Sequence, residues 1–115
     1  MLTQSQLEQF TGTEQYYFNP MYRWLRYTDG VRFMAQEGGA YWLLDAIASY
    51  KRQEPFQVWR LDVRSDGRIR EATLTMREDS GQPELVRQEI EYTDFPLMQI
   101  ELWLIDGVLI LPSEY

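Results

Sequence analysis

The stretch 28-TDGVRFMAQEGGAYWLLDAIASYK-51 reads as helix, break, helix. Thr28 or Asp29 can cap a helix from about residue 31, where Val31, Met34 and Ala35 mark one face. Gly38 and Gly39 are poor helix residues and good C-terminal caps. Leu43, Leu44 and Ile47 then recur at helical spacing, with Ala40 and Tyr50 extending the stripe. The glycine pair is most simply a corner. A phosphate-cradling loop needs a preceding strand, more glycines and a Lys, Ser or Thr. A DNA-reading helix needs Arg, Asn or Gln, and the second helix offers Tyr, Trp, Leu, Asp and Ala.

Before this stretch, residues 3–10 read as a short helix capped by Thr3 or Ser5, with Leu7 and Phe10 on one side. Gly12 and Asn19-Pro20 interrupt the chain. Residues 21–27 fit a short strand or a helix equally well. After it the period changes to two. Gln57, Trp59, Leu61 and Val63 alternate with Phe56, Val58, Arg60 and Asp62. Ser65-Asp66-Gly67 is a hairpin signal, and Ala72, Leu74 and Met76 alternate with Glu71, Thr73, Thr75 and Arg77. A polar loop, 78-EDSGQPE-84, leads to an alternating run over 85–92. Ile100, Leu102 and Leu104 alternate with Glu101, Trp103 and Ile105, and Asp106-Gly107 turns into 108-VLIL-111. Helices first and hairpin-linked strands afterwards predict one α+β domain over residues 1–115. Short N-terminal helices should pack on one face of a C-terminal four- or five-stranded antiparallel meander, with Leu43, Leu44 and Ile47 against Leu61, Leu74, Ile90 and Leu102.

Composition removes many chemistries. There is no cysteine and no histidine, so thiolate nucleophiles, disulfides, Cys-type zinc sites and His-based triads are excluded within the chain. Carboxylate, Lys, Tyr and Arg chemistry remains, as does an oxygen-ligated hard cation. No cofactor is called for. The net charge is −7, which opposes direct binding to nucleic acid and to anionic membranes. Residues 1–51 hold five acidic and four basic side chains, and residues 52–115 hold thirteen and seven. The opening MLTQSQLEQF lacks the basic-then-apolar pattern of a leader, and 102-LWLIDGVLIL-111 is too short and too interrupted to span a membrane. A cytoplasmic location is expected.

The phrases 11-TGTEQYY-17, 27-YTDGV-31, 39-GAYWLLDAIASY-50, 57-QVWRL-61, 92-YTDFPL-97 and 111-LPSEY-115 stand in a distinctive order. Together they resemble a family of small uncharacterised bacterial proteins, frequent in cyanobacteria and classed as a domain of unknown function. The resemblance implies a stand-alone domain and no particular activity, and it carries over no catalytic or ligand residue.

Two candidate sites follow from the pattern. The outward sheet face should carry Arg60 and Asp62, then Glu71, Thr73 and Arg77, then Arg87, Glu89 and Glu91. Glu101, Trp103 and Ile105 complete it. Cross-strand Arg–Glu pairs read as an ordinary solvated face, but Trp103 and Ile105 are large and apolar on the side expected to be wet. They mark an interface for a protein partner or a second copy, framed by Arg87, Glu89, Glu91 and Glu101. Glu89, Glu91 and Glu101 could also lie close together on adjacent strands, but a flat face offers no cleft to raise a carboxylate pKa for catalysis. The second candidate is the loop set of Thr11, Thr13, Glu14, Tyr16, Tyr17, Tyr27 and Asp29, either a small-molecule pocket or capping and turn chemistry. The sequence thus favours a non-enzymatic interaction domain. The alternatives are a ligand-binding protein or enzyme using the Tyr and carboxylate loops, and an acidic mimic of nucleic acid, which the interleaved arginines oppose.

Overall fold

Each helix opens with backbone N–H groups that lack an intrahelical partner, and local side chains decide where helices begin. In the computed structural model, which describes residues 1–115, α1 spans Gln4–Glu8. The Thr3 hydroxyl accepts from the Gln6 N–H while the Gln6 side chain accepts from the Thr3 N–H, forming a capping box. Helix α2 spans Asp29–Gly38, and the Thr28 hydroxyl accepts from the Val31 N–H. Helix α3 spans Tyr41–Tyr50 and has no side-chain cap.

The glycine pair is a corner, and its two glycines act for different reasons. Gly39 has φ 60° and ψ 40° and ends α2 by donating its N–H to the Ala35 carbonyl. Gly38 is helical, but a Cβ there would stand 2.9 Å from the Phe95 ring and 3.1 Å from Leu2.

The chain forms seven strands: β1 (Tyr16–Phe18), β2 (Arg26–Thr28), β3 (Phe56–Ser65), β4 (Arg70–Arg77), β5 (Val86–Ile90), β6 (Gln99–Ile105) and β7 (Val108–Ile110). They make one sheet in the order β1-β2-β7-β6-β3-β4-β5. The alternation read over residues 56–63 holds, and Trp59, Leu61 and Val63 are buried with Leu43, Leu44, Ile47, Leu74 and Leu102 in a single core. Gln57 is buried among them because both ends of its amide are bonded, to the Glu54 carbonyl and to the Trp59 indole N–H. The Asp106-Gly107 turn has positive φ at both residues, as a two-residue hairpin requires.

The expected four- or five-stranded antiparallel meander is corrected in three respects. Strand β6 does not follow β5 in space but pairs with β3, so β6-β3-β4-β5 has the order of a Greek key. The connection over residues 91–98 is anchored by buried Phe95, which packs against Gly38, and by the Arg70 guanidinium on the Phe95 carbonyl. Second, the N-terminal half is not only helical. It contributes β1 and β2, and β2 pairs in parallel with β7. Three-residue strands are too short to display a period, which is why they escape a reading by alternation. Third, residues 21–27 are not one strand: Pro20–Tyr22 form a 3₁₀ turn and only Arg26 and Tyr27 of that segment are extended. Helix α1 lies at the rim, where Phe10 meets Phe33 of α2 and the Leu7 carbonyl accepts from Ser113. No helix is long and apolar enough to cross a membrane.

The C-terminal turn Pro112–Glu114 folds back on the start of α2. The Glu114 carboxylate accepts from the Thr28 hydroxyl at 2.6 Å, the Gly30 N–H at 3.2 Å and the Leu111 N–H at 2.9 Å. This close approach depends on Gly30, where a Cβ would stand 2.7 Å from Leu111 and 2.8 Å from Glu114. Gly30→Ala is therefore expected to destabilise the domain by about 1–3 kcal/mol through overpacking, read as a lower urea midpoint. A midpoint equal to that of the native chain would show that the turn moves aside freely.

Candidate functional site

Helices α2 and α3 share the core with Trp59, Leu61 and Leu102, and the C-terminal turn sets Tyr115 against Phe56 and Trp103 on the opposite face. Residues paired across neighbouring strands share a face, so the register orders the open side in rows. One row runs Arg26, Val108, Ile105, Phe56 across β2, β7, β6 and β3. The next runs Ile110, Trp103, Val58, Arg77, and the one after it Glu101, Arg60, Thr75, Arg87. A further row holds Gln99, Asp62, Thr73 and Glu89. The face is thus apolar toward β7 and a lattice of arginines and carboxylates toward β5.

A concavity of about 580 Å³ lies where the two zones meet. Its apolar wall is Phe56, Val58 and Trp103. Trp103 stacks edge-on with Tyr115 at 5.2 Å and tilts against Phe56 at 5.7 Å, and its indole N–H donates to Glu101. Its polar wall is ordered by ion pairs. Arg60 bonds Asp62, and Arg64 bonds Thr73 and pairs with Glu71 and Glu89. Glu84 alone receives both Arg77 and Arg87.

The structure places Trp103, Ile105, Glu101, Arg87 and Glu89 on this face. It does not place Glu91 there, because β5 ends at Ile90 and Glu91 lies in the following bend. Nor are Glu89 and Glu101 neighbours. Strands β3 and β4 separate them, so the expected carboxylate cluster is dispersed. No group of three acidic side chains is positioned to hold a metal ion. Phe56, Val58 and Thr75 also line this surface, and their only signal in the sequence is strand alternation. Nothing in the sequence marks Tyr115, which reaches Trp103 only through the C-terminal turn.

The second candidate set is also brought together in part. Asp29 accepts from the Glu14 N–H at 2.9 Å and from the Tyr17 hydroxyl at 2.8 Å, and its own N–H donates to Thr13 at 2.9 Å. Tyr27 stacks on Tyr17 with ring centroids 5.8 Å apart, and the Arg32 guanidinium covers the Tyr17 ring at 4.6 Å. Tyr16 is exposed on the open sheet face. These groups bond one another, and none of them lines any of the four principal concavities. The Glu14 N–H, and then the Tyr17 hydroxyl, hold the Asp29 carboxyl below the usual carboxylate range, and burial pushes the Tyr27 phenol up. Neither shift makes a general base near neutral pH.

The chain belongs to a family of unknown function, DUF6876. The family model matches residues 1–115. No curated protein and no solved structure gives a significant match. Three of the phrases that carry the resemblance meet in a single knot. Thr13 and Glu14 bond Asp29, Thr28 bonds Glu114, and α2 starts between them. In this family member the phrase 92-YTDFPL-97 supplies the Phe95 anchor. These phrases thus supply contacts that close the fold.

Because the Asp29 pKa is depressed by folding, its stabilisation is complete above its unfolded value of about 4 and is lost as pH falls through the lower folded value. Asp29→Asn should lower the urea midpoint at pH 7 and flatten its fall below about pH 4. An acid limb as steep as that of the native chain would place the titrating group elsewhere.

Proposed function

We propose that this chain is a non-enzymatic protein-interaction domain that binds a protein partner through the sheet face opposite its core. One observation carries the reading. The sheet face opposite the core carries Phe56, Trp103, Ile105, Val108 and Ile110 at neighbouring register positions, each of them half-buried. Apolar surface rimmed by charge is the composition of a contact surface. The indole is preset for such a role, since Glu101 and Tyr115 fix its orientation before any partner arrives.

The charged zone supports specificity rather than catalysis. Asp62, Glu71, Glu84 and Glu89 are paired with arginines, and Glu101 accepts from the Trp103 indole. A cytoplasmic setting is the default for such a domain, and the lack of cysteine is consistent with it.

Native mass spectrometry on protein gently purified from its own cells tests the reading. A multiple of 13.8 kDa or a co-purifying chain is expected. Trp103→Glu and Ile105→Lys should each reduce the complex to the 13.8 kDa monomer while shifting stability by no more than about 1 kcal/mol. A complex of unchanged mass in both variants would reject the face as the contact.

A further inference from the structure

The row Glu101–Arg60–Thr75–Arg87 contains a buried group that folding leaves unused. Thr75 is 4 % exposed, and its hydroxyl oxygen is the one buried side-chain polar atom without a hydrogen-bond partner. A buried hydroxyl with no partner loses its hydration without compensation, so Val would serve packing better at this position. One row away, Thr73 is bonded by Arg64 and itself donates to Glu89. The lattice can satisfy a threonine, and at position 75 it does not. Thr75 lines the 580 Å³ concavity.

Arg60 and Arg87 flank Thr75 on the two neighbouring strands. Arg60 spends Nε on Asp62 and Nη2 on Gln99, and Arg87 bonds Glu84 through Nη1. That leaves Arg60 Nη1, Arg87 Nε and Arg87 Nη2 as donors in the row that holds a fourth, the Thr75 hydroxyl. Arg77, two residues along β4, shares Glu84 with Arg87, so one carboxylate serves two guanidiniums. Glu101 lies on the far side of Arg60 and accepts from the Trp103 indole, and Asp79 at the rim accepts from the Ser80 N–H. Unspent guanidinium and hydroxyl donors on three adjacent strands of one register row match the chemistry of a carboxylate.

We propose that Thr75, Arg60 and Arg87 form a subsite for a carboxylate side chain of a peptide segment whose apolar residue seats on Trp103. This deepens the interaction reading above and rests on it. The net charge of −7 repels free anions, so the carboxylate must arrive on a segment that has a second point of attachment. Trp103 supplies it. It lies two strands and one residue pair from Thr75, roughly 12 Å, close to the spacing of residues i and i+4 in an extended peptide.

The test is a ¹H–¹⁵N NMR titration of the full chain with acetyl-Phe-Ser-Gly-Ser-Glu-amide, its Gln analogue, and acetate. The Thr75 amide and Arg87 Nε–H signals should shift with the Glu peptide and bind the Gln analogue and acetate at least about tenfold more weakly, the loss of one charge-assisted contact. Thr75→Val should weaken the Glu peptide by a similar factor and raise the melting temperature by about 4 °C, because it removes an unsatisfied hydroxyl. That opposite movement of affinity and stability is what a structural threonine would not give. Equal binding of the Glu and Gln peptides, or a lower melting temperature for Thr75→Val, overturns the subsite. An equal response to acetate assigns it to small acids and overturns the peptide partner. If the subsite fails while Trp103→Glu still dissolves the native complex, the interaction face stands. If Trp103→Glu alters neither the complex nor peptide binding, both readings fall.

Discussion

The Glu114 carboxylate holds the two ends of the chain in one structure. It accepts from Thr28, Gly30 and Leu111, so the last turn caps the helix that begins at Asp29. Hydrogen bonds to a charged acceptor each contribute roughly 1.5–3 kcal/mol when well formed. The bonds also sit at a helix N-terminus, where negative charge is favoured. Once Glu114 is placed, β7 lies beside β2 in parallel, and the N-terminal segment joins a sheet otherwise built from the C-terminal half. The same turn delivers Tyr115 to Trp103, so the knot that closes the fold also shapes the open face.

The second consequence is asymmetry. Two ten-residue helices cover one face of a seven-stranded sheet. Leucines, Trp59 and Phe95 fill that layer to near-complete burial. On the other side the C-terminal turn lays Tyr115 on Phe56 and Trp103. Toward β5 that face uses arginine–carboxylate pairs, which are weak as stabilisers but tolerate water. Toward β7 it presents Phe56, Trp103, Ile105 and Val108, which water does not favour. The boundary between these zones is where a partner gains from both apolar burial and oriented charge. A surface assembled for stability alone would have no use for the Thr75 hydroxyl at that boundary.

Local chemistry was legible wherever it acts over three or four residues. The sequence offered Thr3 or Ser5 and Thr28 or Asp29 as caps, the Gly38-Gly39 pair as a corner and Asp106-Gly107 as a hairpin, and the structure uses Thr3, Thr28 and Gly39. The alternation of β3, β4 and β6 was equally plain, and with it the placing of Trp103 and Ile105 on the open side. The second role of Gly38, to admit Phe95 from more than fifty residues away, leaves no trace in the local pattern. Strands β1 and β2 were hidden because three residues show no period. Glu91 was misplaced because a run of alternation does not reveal where pairing stops.

The sequence by itself determined the α+β class, the helix–corner–helix unit, the strand periods and the lack of thiol and imidazole chemistry. These depend on composition and on the steric and hydrogen-bonding preferences of short segments. The tertiary structure alone decided that β6 returns beside β3, that β2 runs parallel to β7, and that Glu89 and Glu101 have two strands between them. It alone set Thr75 between Arg60 and Arg87. Strand order is fixed by contacts between residues distant in the chain, such as Phe95 with Gly38 and Glu114 with Gly30. A hydrophobic period states which way a side chain faces, and carries no information about which strand will lie next to it.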